Sequence, residues 1–216
     1  AKMNKIDKEL LEQISNLHGV PQGSFNIRKN GQALKRKSTS EIEILPKPDK
    51  SGIDIIVKPN VKNKSVHIPV IITVGGFNDL VYNDFYIGEN AEVTIIAGCG
   101  IHNSANETSQ HDGIHSFHLE KGCKVKYIEK HLGLGKEGAG KILNPTTNIV
   151  MEESSEFEME TYQLGGVTYS NRITKAKLKD NAKLLVTEKI LTTNTQTAIT
   201  RFTANLEGKN ASVNIV

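Results

Sequence analysis

Apolar residues near the N-terminus recur at helical spacing. Ile6, Leu10, Leu11, Ile14 and Leu17 share one face, which predicts a short amphipathic helix over residues 6–17 ended by His18 and Gly19. Residues 20–40 lose that period. Gly23, Gly31 and the basic run Lys35-Arg36-Lys37 read as a loosely ordered, solvated connector. From residue 41 the texture changes again. Runs of Ile, Val and Thr at 42–45, 53–57 and 66–74 stop at Pro46 and Pro48, at Pro59 and at Gly75-Gly76. These are strand signals, and no helical period of useful length follows residue 20.

The strand runs belong to an internal repeat. A turn residue, a small residue, a polar residue and then apolar residues two apart recur at 88–95, 120–127, 152–159, 179–186 and 208–215. The small residues are Ala91, Cys123, Ser155, Ala182 and Ala211, at intervals of 32, 32, 27 and 29. Each unit also holds an earlier strand, at 81–87, 114–119, 149–151, 173–178 and 199–206. A propeller blade needs roughly 40 residues and four strands, and the Leu/Asn signature of a leucine-rich repeat is missing. The pattern predicts an all-β chain, a parallel β-solenoid with a short N-terminal helical segment. Small residues would turn its corners and alternating apolar residues would fill its coils, with a flat β-sandwich as the alternative. Residues 1–40 form the helix and connector, and residues 41–216 the solenoid. The last unit stops in mid-strand at Val216. Because a solenoid needs a polar cap, the expectation is a chain whose C-terminal cap is missing, or one covered by an edge-to-edge dimer.

Composition narrows the function. In 216 residues, 27 Lys and Arg balance 24 Asp and Glu for a net charge of +3, so no clustered basic face points to nucleic acid. Aromatics are 5% with no Trp, which leaves an aliphatic core. No apolar run approaches the roughly 18 residues of a membrane span, and residues 1–11 lack a signal-peptide core. Two Cys form no disulfide framework, so the expectation is a cytoplasmic protein with reduced thiols and no membrane partner.

Chemistry concentrates between residues 99 and 131. Five of the seven His lie there: His102, His111, His115, His118 and His131. Cys99 stands between Gly98 and Gly100 just after a strand, where small neighbours would leave a thiolate open to approach. Cys123 instead fills the small corner position and reads as structural. On a strand over 114–119, His115 and His118 point to opposite faces. Cys99, His102, His111 and His115 are therefore the better set for iron or zinc, although the spacing matches no zinc-finger template. Polar loop or core histidines are the other reading.

Other motifs carry less. Gly133-Leu-Gly135-Lys-Glu-Gly138 satisfies a dinucleotide pattern, but Asn144-Pro145 follows where a helix should. The P-loop-like stretch ending at Lys141 continues with Ile142 instead of Ser or Thr. A solvated loop binding no nucleotide is the reading. Glu156, Glu158 and Glu160 alternate with Phe157 and Met159, as an outward polar face would.

Several of these stretches resemble the SufB/SufD family, especially its short archaeal-type SufB members. They are Gly98-Cys99-Gly100-Ile-His102-Asn, Gln110-His111-Asp112-Gly-Ile-His115, Lys130-His131, Gly140-Lys141-Ile-Leu-Asn144-Pro145, Val186-Thr-Glu188 and Gly208-Lys-Asn210. The resemblance runs from about residue 65 to 216. It implies a right-handed parallel β-helix that serves as a scaffold, not an enzyme, for transient iron–sulfur clusters. Members pair through their β-helices, as a homodimer or with a SufB/SufD-type partner. They bind the ABC-type ATPase SufC through C-terminal helices, for which this chain has no counterpart, and take sulfur from a cysteine desulfurase. Cys99 matches the Gly-Cys implicated in accepting sulfur, as persulfide or cluster ligand, with His102, His111 and His115 as metal-binding candidates. The Cys and His content points to SufB rather than SufD. A SufD-like structural subunit without a ligand and a β-solenoid Cys/His enzyme are the alternatives.

Overall fold

The computed structural model describes residues 3–16, 22–193 and 195–216; the expected helix end at His18 and Gly19 lies outside them. Helix α1 (Lys5–Ser15) precedes two antiparallel pairs: β1 (Ser24–Lys29) with β2 (Gln32–Lys37), and β3 (Ile42–Pro46) with β4 (Gly52–Val57). The chain then winds through β5 (Lys64–Ile72), β6 (Asn78–Ile87), β7 (Glu92–Asn103), β8 (Ser109–Leu119) and β9 (Lys124–Gly135). It continues through β10 (Lys141–Leu143), β11 (Thr146–Met151), β12 (Glu156–Gln163), β13 (Tyr169–Leu178), β14 (Lys183–Ile190), β15 (Thr197–Leu206) and β16 (Ser212–Ile215).

Successive strands alternate between two sheets. Strands β5, β7, β9, β12, β14 and β16 stack in sheet A; β4, β6, β8, β10 with β11, β13 and β15 stack in sheet B. All these pairings are parallel. The result is a parallel β-solenoid of about five turns.

Its corners repeat in atomic detail. Asn60, Asn90, Gly122, Ser154, Asn181 and Asn210 all have φ between 59° and 70°. A turn whose third residue has positive φ favours Gly or Asn there. The next residue closes the turn, as when Ala91 N–H donates to Gly88 C=O at 3.1 Å. Each corner from Asn60 to Asn181 also donates to the following coil: Asn60 N–H to Glu89 C=O at 2.9 Å, Asn90 to Lys121 at 3.0 Å, Gly122 to Glu153 at 3.0 Å. The small residues Ala91, Cys123, Ser155 and Ala182 are fully buried there, and Val61 holds the same place one coil earlier.

The coil interior is filled by columns of equivalent residues. Val66, Ile95, Tyr127, Met159 and Val186 are in register on sheet A; Ile55, Phe85, Phe117, Ile149 and Ala176 face them from sheet B. Phe85 and Phe117 stack with ring centroids 4.3 Å apart. Glu156, Glu158 and Glu160 point outward as expected, and Glu156 and Glu160 pair with Lys124 and Lys126.

The expected connector over 20–40 is corrected. Residues 24–37 form the β1–β2 hairpin, and β1 adds in parallel to β5. Asn30 and Gly31 carry the positive φ values of 47° and 81° that a two-residue hairpin turn demands. The stretch from Gly133 to Lys141 is the end of β9 and a turn into β10, and Lys141 Nζ donates to the Lys136 and Ala139 carbonyls.

Helix α1 begins with reciprocal capping. Asp7 N–H donates to Asn4 Oδ1 at 2.9 Å and Asn4 N–H to Asp7 Oδ2 at 3.0 Å. Leu10, Leu11 and Ile14 then pack on the outside of sheet A against Ile71 and Leu132.

Ser154 is the corner residue that is neither Asn nor Gly. A left-handed conformation costs an ordinary side chain about 1 kcal/mol. Ser154→Asn should therefore raise Tm by roughly 2–4 °C for a chain of this size. Gly122→Ala should lower it, because the new methyl would lie 2.3 Å from Asn90 Oδ1. Thermal melts of the two variants check both signs.

Candidate functional site

The interior is apolar beside the corners and turns polar farther along each strand. On β7 the inward series runs Ile95, Ala97, Cys99; on β9 it runs Tyr127, Glu129, His131. Parallel register sets Cys99 beside His131. From sheet B, Asp79 on β6 and His111 on β8 enter the same space.

A hydrogen-bond network fixes the roles of these groups. Tyr127 O–H donates to Glu129 Oε2 at 3.1 Å, so His115 Nδ1–H donates to the Tyr127 oxygen at 2.7 Å. His115 Nε2 is then the acceptor facing Asn83 Nδ2 at 3.4 Å. Glu129 Oε2 also takes Arg172 Nη1 at 3.1 Å, and its Oε1 takes His131 Nε2 at 2.7 Å. His131 Nδ1 is buried without a partner.

Electrostatics follow from this wiring. Burial alone would raise the Glu129 carboxyl, but Arg172 and His131 hold it well below the usual range. Burial pushes His115 down to about 4, against the opposing pull of Glu129. Burial likewise lowers His131, only partly offset by Glu129. Burial, then the charges of Asp79 and Glu129, drive the Cys99 thiol well above its ordinary value.

Cys99 is 1% exposed and lines a cavity of about 10 Å³ with His111, Gly113, His115 and His131. That is room for about one water. Gly113 opens the space: a methyl there would lie 3.1 Å from His111 Nε2 and 3.4 Å from His115 Nε2. The two imidazoles thus present their Nε2 atoms over one glycine.

The glycines flanking Cys99 have another cause than the one expected from sequence. A methyl on Gly98 would meet Ile14 at 3.3 Å and the Lys130 carbonyl at 2.4 Å; one on Gly100 would meet Leu10 at 2.9 Å. They form the flat seat for α1. The thiol itself points inward and is covered, so it is a buried thiol and not an open thiolate.

The sequence-derived set is partly assembled. Cys99, His111 and His115 line one cavity. His102 does not join them: strand alternation turns it to the outer side of β7, between the buried Ile101 and Asn103. Among the described residues, no group of three His, Cys, Asp or Glu is arranged to hold a metal ion. Cys123 is buried at its corner, where burial pushes its thiol up to about 12, which fits the structural reading. His118 lies on the outer face of β8, stacked 4.7 Å from Tyr86 and bonded to Asp84.

Glu129, Arg172 and Asp79 are site residues that the sequence reading missed. For Glu129 a signal existed. The inward phase Val125, Tyr127 continues to positions 129 and 131, so a carboxylate and an imidazole must point into the core. Asp79 and Arg172 have no such local mark, because their partners come from β8 and β9.

Among the described residues, no helix is long and apolar enough to cross a membrane. Compared with protein-family models, curated proteins and solved structures, the chain matches none.

Two outcomes test the network. Glu129→Gln leaves Arg172 buried without its countercharge and should cost roughly 3–5 kcal/mol in urea unfolding. The second concerns acid. His115 titrates at about 4 in the fold against 6.5 when free, so it favours folding above pH 6.5, and that contribution is lost as pH falls toward 4. Asp79, at about 2 against 3.8, adds a further loss between those values. Tm should fall from pH 6.5 to 4, and His115→Gln should flatten that part of the curve.

Proposed function

We propose that this chain is a scaffold subunit of SUF-type iron–sulfur cluster assembly, with Cys99 as the sulfur acceptor. The observation that carries the reading is a single thiol enclosed with His111, His115 and His131 inside a parallel β-solenoid. The motif resemblance over residues 65–216 points the same way. Imidazoles beside a thiol can take up its proton, which sulfur transfer to Cys99 requires. Sulfur would come from a cysteine desulfurase, and energy for assembly from an ABC-type ATPase partner. Iron is cargo here, and ligands beyond Cys99 and the imidazoles must complete its binding.

A second reading, a SufD-like frame without a ligand, is favoured by one observation. Cys99 is 1% exposed beside a cavity of only about 10 Å³.

Anaerobic reconstitution separates the two. With iron and sulfide added, the scaffold reading expects stoichiometric iron and a visible charge-transfer band, both lost in Cys99→Ser and retained in Cys123→Ser. Equal iron and absorption in wild type and Cys99→Ser, or none in either, would leave the frame reading.

A further inference from the structure

A line of charge leads to the thiol from the N-terminal hairpin. Arg28 on β1 reaches Asp79 twice, Nε to Oδ2 at 3.3 Å and Nη2 to Oδ1 at 2.9 Å. Asp79 Oδ2 accepts from His111 Nδ1 at 3.1 Å, and both residues are buried. With Nδ1 carrying the proton, Nε2 keeps a lone pair. That nitrogen is turned toward the space over Gly113, which lines the same cavity as Cys99.

We propose that Asp79, braced by Arg28, is the positioning residue that holds His111 as the proton acceptor for Cys99. The inference rests on the reading of Cys99 as a sulfur acceptor. Such a thiol needs a base, because burial and the nearby carboxylates leave little spontaneous thiolate near neutral pH. In the step, Cys99 Sγ attacks the outer sulfur of a persulfide or polysulfide donor. The donor's S–S bond breaks as the new Sγ–S bond forms. The Cys99 proton passes to His111 Nε2, directly or through the one water the cavity can hold, and the imidazolium returns it to the departing thiolate. Sulfane sulfur changes hands with no net oxidation or reduction.

The other charged groups around His111 are His115 on its own strand, Glu129 and His131 on β9 and Arg172 on β13. Glu129 is held by Arg172 and His131, and His115 by Tyr127 and Asn83. His131, whose Nδ1 is free, is the competing acceptor. Its Nε2 is held by Glu129, which Arg172 already engages, and burial lowers its affinity for a proton.

The test uses the full chain, kept anaerobic with inorganic tetrasulfide as donor, and follows Cys99 persulfide by alkylation and peptide mass spectrometry. Asp79→Asn should be slower than wild type by about ten- to a hundredfold. This sign is diagnostic: if Asp79 acted only as a nearby charge that suppresses the thiolate, removing it would speed the reaction. His111→Gln should be slower by about a hundredfold or more, and because hydroxide must then take the thiol proton its rate should rise about tenfold per pH unit. Circular dichroism checks folding, and if Asp79→Asn does not fold, Arg28→Lys should slow the reaction in the same direction. Unchanged or faster persulfidation in the folded Asp79 variant overturns the proposal. So does a slow His131→Gln with a normal His111→Gln, or no persulfide in wild type. Cluster formation that survives Cys99→Ser overturns the functional reading instead, whatever these rates are.

Discussion

The structure depends on keeping one coil in register with the next. Each left-handed corner from Asn60 to Asn181 donates its N–H to a carbonyl of the following coil, so the strands that leave the corners start level. From there, parallel pairing fixes every inward position against its equivalent one coil away. Ala97 lies beside Glu129, and Cys99 beside His131, because each stands the same number of residues past its own corner, Asn90 or Gly122. Chemistry inside the solenoid is therefore arranged by backbone geometry, and side-chain packing refines it.

That geometry brings charge into a place where charge is costly. Glu129 is 4% exposed and Arg172 is 8% exposed. Their pairing is tolerated because the remaining lone pairs of the carboxylate are taken by His131 and Tyr127. The interior thus divides along each strand. Its apolar half, with the stacked Phe85 and Phe117, supplies cohesion; its polar half supplies oriented donors and acceptors around Cys99. A uniformly apolar solenoid would bind itself as well and present no chemistry.

The solenoid was legible because its corner signal is local. A turn residue followed by Ala, Cys or Ser and then alternation marks each coil within eight residues. The hairpin at 24–37 was not, since β2 is almost wholly exposed and shows no alternation; its Asn30-Gly31 turn was the available sign. Within the site, Cys99, His111 and His115 were found from residue type. His102 was misplaced because the phase of β7 was not followed past the second glycine: inward positions are 95, 97, 99, 101 and 103. Arg28 and Asp79, fifty-one residues apart in sequence, meet only through the topology, which no local pattern reveals.

The seat that Gly98 and Gly100 make for α1 bears on how the chain finds its register during folding. The helix is made early, while its docking surface comes from β5, β7 and β9, so it has to wait for strands that lie far along the chain. A slip of one residue would turn β7 over and replace the two glycines on the outer surface with Ala97, Cys99 and Ile101. Side chains would then stand where Leu10 and Ile14 need bare backbone. Helix docking thus acts as a proofreading step: it completes only on the coil whose thiol faces inward.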